Sequence, residues 1–341
     1  MERFSCGTEI IAGSGAVEAL AEQGARRLFV VTDPYFMKNG TAHHVAAAAK
    51  AEAVAFFDRV APDPTVALGG GSAMDCAKAM VYFAGEKRRL VAIPTTSGSG
   101  SEVTDFAILT HNHVKHPLVD RRLRPDVAIL DSDLLTCLPP GLIADAGFDV
   151  LSHALEACVA EGAGAITDAL ARDAFRAAFG ALPASFAGRT EVRLKIHLAA
   201  TMAGLAFTQA GLGMCHAISH SLGGVFHVPH GRLNAILLPA VVSYNAPVVG
   251  GKYARLARAA GLGGSADTVA VLNLRNGLIR LRRELKLPGT LAQAGVEPRQ
   301  VWQNMTKIVE AALADPCCAA NPRKVDDFGV RRVLEEVTGR V

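Results

Sequence analysis

Asp149, His153, His216 and His230 are spaced as the ligands of a single divalent metal ion would be. Asp149 and His153 stand one helical turn apart in Gly147-Phe-Asp-Val-Leu-Ser-His153, and positions i and i+4 of a helix project from one face. The spacing recurs in His216-Ala-Ile-Ser-His220, and His230 follows within Pro229-His-Gly231. One carboxylate and three imidazoles suit Fe(II), Zn or Co and suit Ca or Mg poorly. These residues lie in strongly apolar stretches, where ionised groups are costly unless paired or ligated. Ligation is the economical account, and it predicts a metalloenzyme.

A second group of residues reads as a phosphate cradle. Gly69-Gly-Gly-Ser72 follows the apolar run Val66–Leu68 and precedes a helical pattern over Ala73–Ala84. Glycines let a backbone approach a diphosphate, and a helix start offers free amides and a favourable dipole. Pro94-Thr-Thr-Ser-Gly-Ser-Gly-Ser-Glu102 supplies hydroxyls and amides after another apolar run. Asp33, ending the run Arg27–Thr32, is placed to accept from a ribose hydroxyl and to repel a 2′-phosphate, which predicts NAD over NADP. Neither loop is GxGxxG or GxxxxGK[ST], so the ordinary Rossmann and P-loop readings are excluded.

Positioning these groups takes two kinds of scaffold. Apolar runs at Arg27–Thr32, Ala53–Phe57, Val66–Leu68, Arg89–Ile93 and Val127–Leu130 alternate with helical stretches, which predicts a parallel sheet covered by helices. Beyond Pro139-Pro140 nearly everything reads helical. The expected fold is an α/β N-terminal dinucleotide-binding domain over residues 1–139 followed by an all-α metal-binding domain over residues 140–341. His111, His113 and His116 read as part of a solvated polar connection. The net charge of +3 over 341 residues carries no Lys/Arg block, which argues against nucleic acid. No apolar run reaches a membrane span, and the first residues hold no signal-peptide core. Seven scattered cysteines without a CxxC read as reduced thiols of a cytoplasmic protein.

With both halves in view, the chain resembles the iron-dependent (group III) alcohol dehydrogenase family. The matching stretches are Gly69–Asp75, Ile93–Thr104, Lys115-His-Pro-Leu118, Pro125–Asp131, Asp149–Glu156 and His216–Asn234. Phe207–Gly213, Phe226–His230, Ala311–Asp315 and Asn321-Pro-Arg323 look most like the 1-propanol dehydrogenases of propanediol-utilising bacteria. The resemblance implies reversible hydride transfer between NAD(H) and short primary alcohols or aldehydes such as propanol and propanal, with Fe(II), or Zn in its place, on Asp149, His153, His216 and His230. It implies that Asp33, Gly70, Gly71, Ser72, Thr95, Thr96, Ser99, Thr104, Lys115 and Leu135 line the dinucleotide site, and that Phe106, Phe207 and Leu212 surround the substrate. His220 is assigned to proton relay, as a histidine beside the ligands that does not complete the set. A homodimer or higher homo-oligomer is expected, in the cytoplasm or among the enzymes of a bacterial microcompartment. The competing readings are a glycerol or polyol dehydrogenase and a metal-binding remnant without turnover.

One stretch departs from the family. Pro62-Asp-Pro-Thr65 runs directly into the strand before the glycine loop, where a helix is expected in relatives. If the strands at Ala53–Val60 and Val66–Leu68 are parallel neighbours, residues 61–65 are too few for a crossover. That predicts weaker NADH binding than in a full-length relative.

Overall fold

The computed structural model describes residues 4–24, 27–53, 63–85, 88–111 and 114–339. Two compact units emerge, Ser5–Leu138 and, with the extreme N-terminus, Pro139–Val341. The first is built on six strands in the order β1 (Glu9–Gly13), β8 (Val127–Asp131), β5 (Leu90–Pro94), β4 (Thr65–Gly69), β2 (Arg27–Val31) and β3 (Glu52–Ala53). Every pairing in this sheet is parallel.

Strands β4, β5 and β8 are buried along their whole length, which is why each reads as a continuous apolar run rather than an alternation. Their side chains still divide by period two. Val66, Leu68, Val91, Ile93, Val127 and Ile129 pack on one face with Val17, Leu20 and Val45, from the 3-10 helix Ala16–Gln23 and the helix Thr41–Ala48. Ala67, Leu90 and Ala92 pack on the other with Met74, Ala77 and Val81 of the helix Gly71–Phe83. The expected α/β class is what the chain adopts.

The strand expected at Ala53–Phe57 is seen at its start, Glu52–Ala53; residues 54–62 lie outside the described residues. Two expectations need correction. First, β3 is not a neighbour of β4, because β2 lies between them and pairs with both, so the condition behind the expected crossover deficit is not met. Second, the stretch read as a polar connection forms an antiparallel pair, β6 (Phe106–His111) and β7 (Val114–Val119), while His113 lies outside the described residues.

The second unit is helical throughout: Pro140–Val159, Ala165–Phe186, Arg193–Ala210, Met214–Phe226, His230–Ala259 and Asp267–Glu284, then four shorter helices ending with Asp327–Thr338. Pro140 sits in the first turn of the leading helix, where its missing N–H costs nothing. That helix is buried almost without interruption from Ile143 to Val159, so it is the axis of the unit. Two glycines permit its neighbours to close on it. A Cβ on Gly147 would stand 2.3 Å from Leu182 Cδ1, and one on Gly231 would stand 2.0 Å from the Asp145 carbonyl oxygen. The Asp145 carboxylate then takes both Arg232 Nη2 (2.9 Å) and Nε (3.2 Å), tying the His230–Ala259 helix to the axis. The His230–Ala259 helix is long and apolar enough to cross a membrane, yet Leu233, Ile236, Leu237 and Val241 are buried inside this unit.

Candidate metal centre and dinucleotide loops

Three helices bring the four proposed ligands together. Asp149 and His153 come from Pro140–Val159, His216 from the third position of Met214–Phe226, and His230 from the first position of His230–Ala259. Asp149 Oδ1 is the hub, with His230 Nε2 at 3.4 Å, His216 Nε2 at 3.6 Å and His153 Nε2 at 3.8 Å. Donors about 2.1 Å from a tetrahedral centre stand roughly 3.4 Å apart, which is the order of these distances from Asp149; the donor atoms of Asp149, His153 and His216 all lie within 4.8 Å of one another, and His230 joins them through Asp149. The rings are stacked to match: His153 lies 4.6 Å from His216, and Phe207 lies 4.5 Å beyond His153.

The surrounding hydrogen bonds orient the rings. Ser219 Oγ lies 3.1 Å from the His216 carbonyl and 3.2 Å from His230 Nδ1. With its proton on the carbonyl it accepts from Nδ1–H, the tautomer that leaves the Nε2 lone pair of His230 toward Asp149. Asn234, wholly buried, donates from Nδ2 to Asp149 Oδ1 at 2.9 Å. Sequence reasoning placed Asn234 in a matching stretch without giving it a role; its i+4 spacing from His230 was the available signal. His220 Nδ1 lies 2.8 Å from Asp315 Oδ2, and its ring stacks on His230 at 5.1 Å.

Charge in this cluster is set by proximity. Burial works to raise the Asp149 pKa, but His153, His230 and His216 overcome it and hold the carboxyl well below the usual range. Burial, helped by the neighbouring His216, His220 and His153 and opposed by Asp149, lowers His230 well below an ordinary histidine. His216 goes the other way: burial would lower it, yet Asp149 and Glu156 together raise it to about 9. Below that pH an incoming ion must displace the His216 proton. Metal affinity should therefore climb by up to about tenfold per pH unit toward pH 9 and level off above it. Titrating the apoprotein with Co(II) across that range checks this; a flat profile would count against it.

Residues 143–338 match the sequence profile of the Fe-containing alcohol dehydrogenase family, C-terminal, and residues 52–132 match that of iron-containing alcohol dehydrogenase. The chain belongs to the iron-containing alcohol dehydrogenase family. It is 38% identical to 1-propanol dehydrogenase PduQ of Citrobacter freundii, over 99% of this chain and 100% of that one. It is 33% identical to an NADPH-dependent butanol dehydrogenase of Clostridium saccharobutylicum, over 98% of this chain and 97% of the other. The iron-containing alcohol dehydrogenase of Thermococcus thioreducens superposes with a TM-score of 0.91 at 30% identity, covering 98% of this chain and 99% of its own.

In the N-terminal unit the two loops read from the sequence as a phosphate cradle lie close together. Gly69 has φ +151°, and a Cβ there would stand 2.7 Å from Ala73 Cβ, so the turn into the helix requires glycine. Gly70 and Gly71 approach the second loop so closely that added Cβ atoms would lie 3.4 Å from Thr96 Oγ1 and 3.5 Å from Ser99 Oγ. Both glycines, Thr96 and Ser99 remain partly exposed and Ser72 is exposed. The helix Gly71–Phe83 begins without a capping side chain, and Thr95 Oγ1 is buried with no hydrogen-bond partner among the described residues. Open amides, an unmatched hydroxyl and tight glycines fit a diphosphate. Asp33 spends Oδ1 on the amides of Tyr35 and Phe36, and its Oδ2 would lie 3.8 Å from a Cβ on Gly69.

Other expected positions fall elsewhere. Thr104 is wholly buried, and its hydroxyl receives Lys78 Nζ at 2.9 Å, so it supports the loop instead of lining an open cradle. Leu135 is likewise wholly buried in the 3-10 turn after β8. Lys115 pairs with Thr110 in the hairpin, and its side chain lies outside the described residues. Phe207 and Leu212 are buried in the helical unit; Phe106 opens β6 in the other. Lys78 was missed altogether. Burial brings its pKa down to about 8 against the pull of Asp75, and its three protons find the Thr104 carbonyl, the Thr104 hydroxyl and the Phe106 carbonyl. An alternating Ala-Lys-Ala in a helix gives no sign of such a role.

Proposed function

We propose that this protein interconverts short primary alcohols and aldehydes, with propanol/propanal and ethanol/acetaldehyde as the natural size class. The observation that carries this reading is the convergence of Asp149 Oδ1 with three imidazole Nε2 atoms within 3.4–3.8 Å. A divalent ion held there, Fe(II) or Zn, supplies Lewis acidity at the alcohol or carbonyl oxygen, and NAD carries the hydride. The chain's residues do the rest. Asp149, His153, His216 and His230 hold the ion, with Ser219 fixing the His230 tautomer. His220, its Nδ1 anchored on Asp315, leaves Nε2 for moving a proton to and from water. Phe207, stacked on His153, gives the site an apolar wall suited to a short carbon chain.

The test is anaerobic loading of apoprotein with Fe(II) or Zn and an NADH-oxidation assay with acetaldehyde and propanal. A loaded protein silent with both would overturn this reading, and a further assay with glycerol and NAD would separate a polyol dehydrogenase from a metal-binding remnant. Gly70, Gly71, Ser72, Thr95, Thr96 and Ser99 are the residues proposed to seat the dinucleotide. Asp33→Gly should relax the NAD preference by about tenfold, because a carboxylate facing a 2′-phosphate costs on the order of 1–2 kcal/mol. Comparing KM for NADH and NADPH in both proteins measures it; an unchanged ratio would remove Asp33 from this role. A cytoplasmic homodimer is the proposed form, with the outer edge of β1 as the surface for a second copy and a microcompartment as an alternative address.

A further inference from the structure

We propose that Glu156 decides which nitrogen of His216 holds the metal, acting as a positioning carboxylate that is not itself a ligand. This rests on the metal-centre reading above. Glu156 lies three residues after His153 on the axial helix and is 1% exposed. Both of its oxygens are engaged by groups at the start of the Met214–Phe226 helix. Oε2 is 2.5 Å from His216 Nδ1, and Oε1 accepts from the Cys215 amide at 2.7 Å. That helix has no side-chain cap of its own, so the carboxylate satisfies one of its open first-turn amides from outside. The approach is close. A Cβ on Gly213 would lie 2.7 Å from Glu156 Oε1 and 2.8 Å from Asn321 Oδ1, and Asn321 Oδ1 also accepts from the Met214 amide.

The consequence follows from counting donors and acceptors. The Cys215 amide can only donate, so Oε1 must accept. An ionised carboxylate has nothing to donate at Oε2, so His216 Nδ1 must carry a proton. The lone pair is then confined to Nε2, the nitrogen 3.6 Å from Asp149 Oδ1. An amide of the same shape cannot do this, because it has one acceptor where two are needed. With Gln at this position, either its NH2 faces Nδ1 and the ring proton moves to Nε2, blocking ligation, or its NH2 faces the Cys215 N–H in a dry site. Gln is therefore a disruptive substitution here despite being isosteric.

The experiment compares Zn and Co(II) affinity, by chelator competition, in the wild-type protein and Glu156→Gln. Long-range 15N spectra of histidine-labelled Zn-loaded wild type report the His216 tautomer directly. The expected results are a loss of about 10–100-fold in affinity for Glu156→Gln, an altered Co(II) visible spectrum, and a protonated Nδ1 with metal-bound Nε2 in the wild type. A purely structural role would lower melting temperature without changing the Co(II) spectrum of the loaded variant. Affinity within twofold of wild type, or a metal-bound Nδ1, overturns the inference. If Glu156→Gln fails to fold, the wild-type spectrum decides alone. A wild-type protein that takes up neither ion would sink the metal centre itself, an outcome distinct from an unaffected variant.

Discussion

Asp149→Asn is expected to leave the protein unable to retain a divalent metal and to lower kcat/KM for NADH-linked aldehyde reduction by at least about a thousandfold, or roughly 4 kcal/mol of transition-state stabilisation. Oδ1 of this side chain faces the Nε2 atoms of His230, His216 and His153 at 3.4, 3.6 and 3.8 Å, and among the described residues no other carboxylate pairs with all three. The amide replacement removes the charge that opposes an incoming cation's own, and one of its two ends can only donate. Some stability should also be lost, because the histidines that hold the Asp149 carboxyl below its usual range lose their partner, so melting temperature is read beside metal content. Metal content after gel filtration and turnover with propanal are the measurements. Retention of one equivalent of metal at a near-normal rate would remove Asp149 from the ligand set.

Gly231→Ala should be the most damaging small substitution in the helical unit. Its Cβ would meet the Asp145 carbonyl oxygen at 2.0 Å and the carbonyl carbon at 2.6 Å. Those are backbone atoms of the axial helix and cannot rotate away, so the His230–Ala259 helix must shift by on the order of 1 Å. The shift would loosen the Arg232–Asp145 pair and draw His230 off the Asp149 oxygen. About 3 kcal/mol of stability and at least about tenfold in metal affinity should be lost together. Gly224→Ala is the matched control, since nothing lies within 4 Å of its Cβ position in the preceding helix. Thermal unfolding and Zn titration of the pair separate the two; a Gly231→Ala protein as stable as its control would contradict the close-approach argument.

Particular elements show why some features were legible and others were not. Parallel strands buried on both faces leave uninterrupted runs such as Leu90-Val-Ala-Ile93, visible without any partner in view. Edge strand β1, with the burial pattern exposed–exposed–partial–exposed–partial, leaves no such run and was not anticipated. The β6–β7 pair was hidden by its histidines and by Pro117, which read as a connection. The short stretch at residues 61–65 misled because it assumed that strands close in sequence are neighbours in the sheet. Strand β2, more than thirty residues earlier, occupies the place between them.

Residue types and their one-turn spacings are local properties, set by the helix repeat, so the family, the fold class and a candidate donor set could be read from the chain alone. The groups that hold the site in place come from far along the chain: Asn234, which donates to the Asp149 carboxylate, lies 85 residues from it, and Glu156, proposed to orient His216, lies 60 residues from that ring. Gly231 and Gly147 likewise acquire their meaning only from the backbone and side chain that press against them. Hydrogen bonds and van der Waals contact reach a few ångströms, and only folding brings such distant positions within that range.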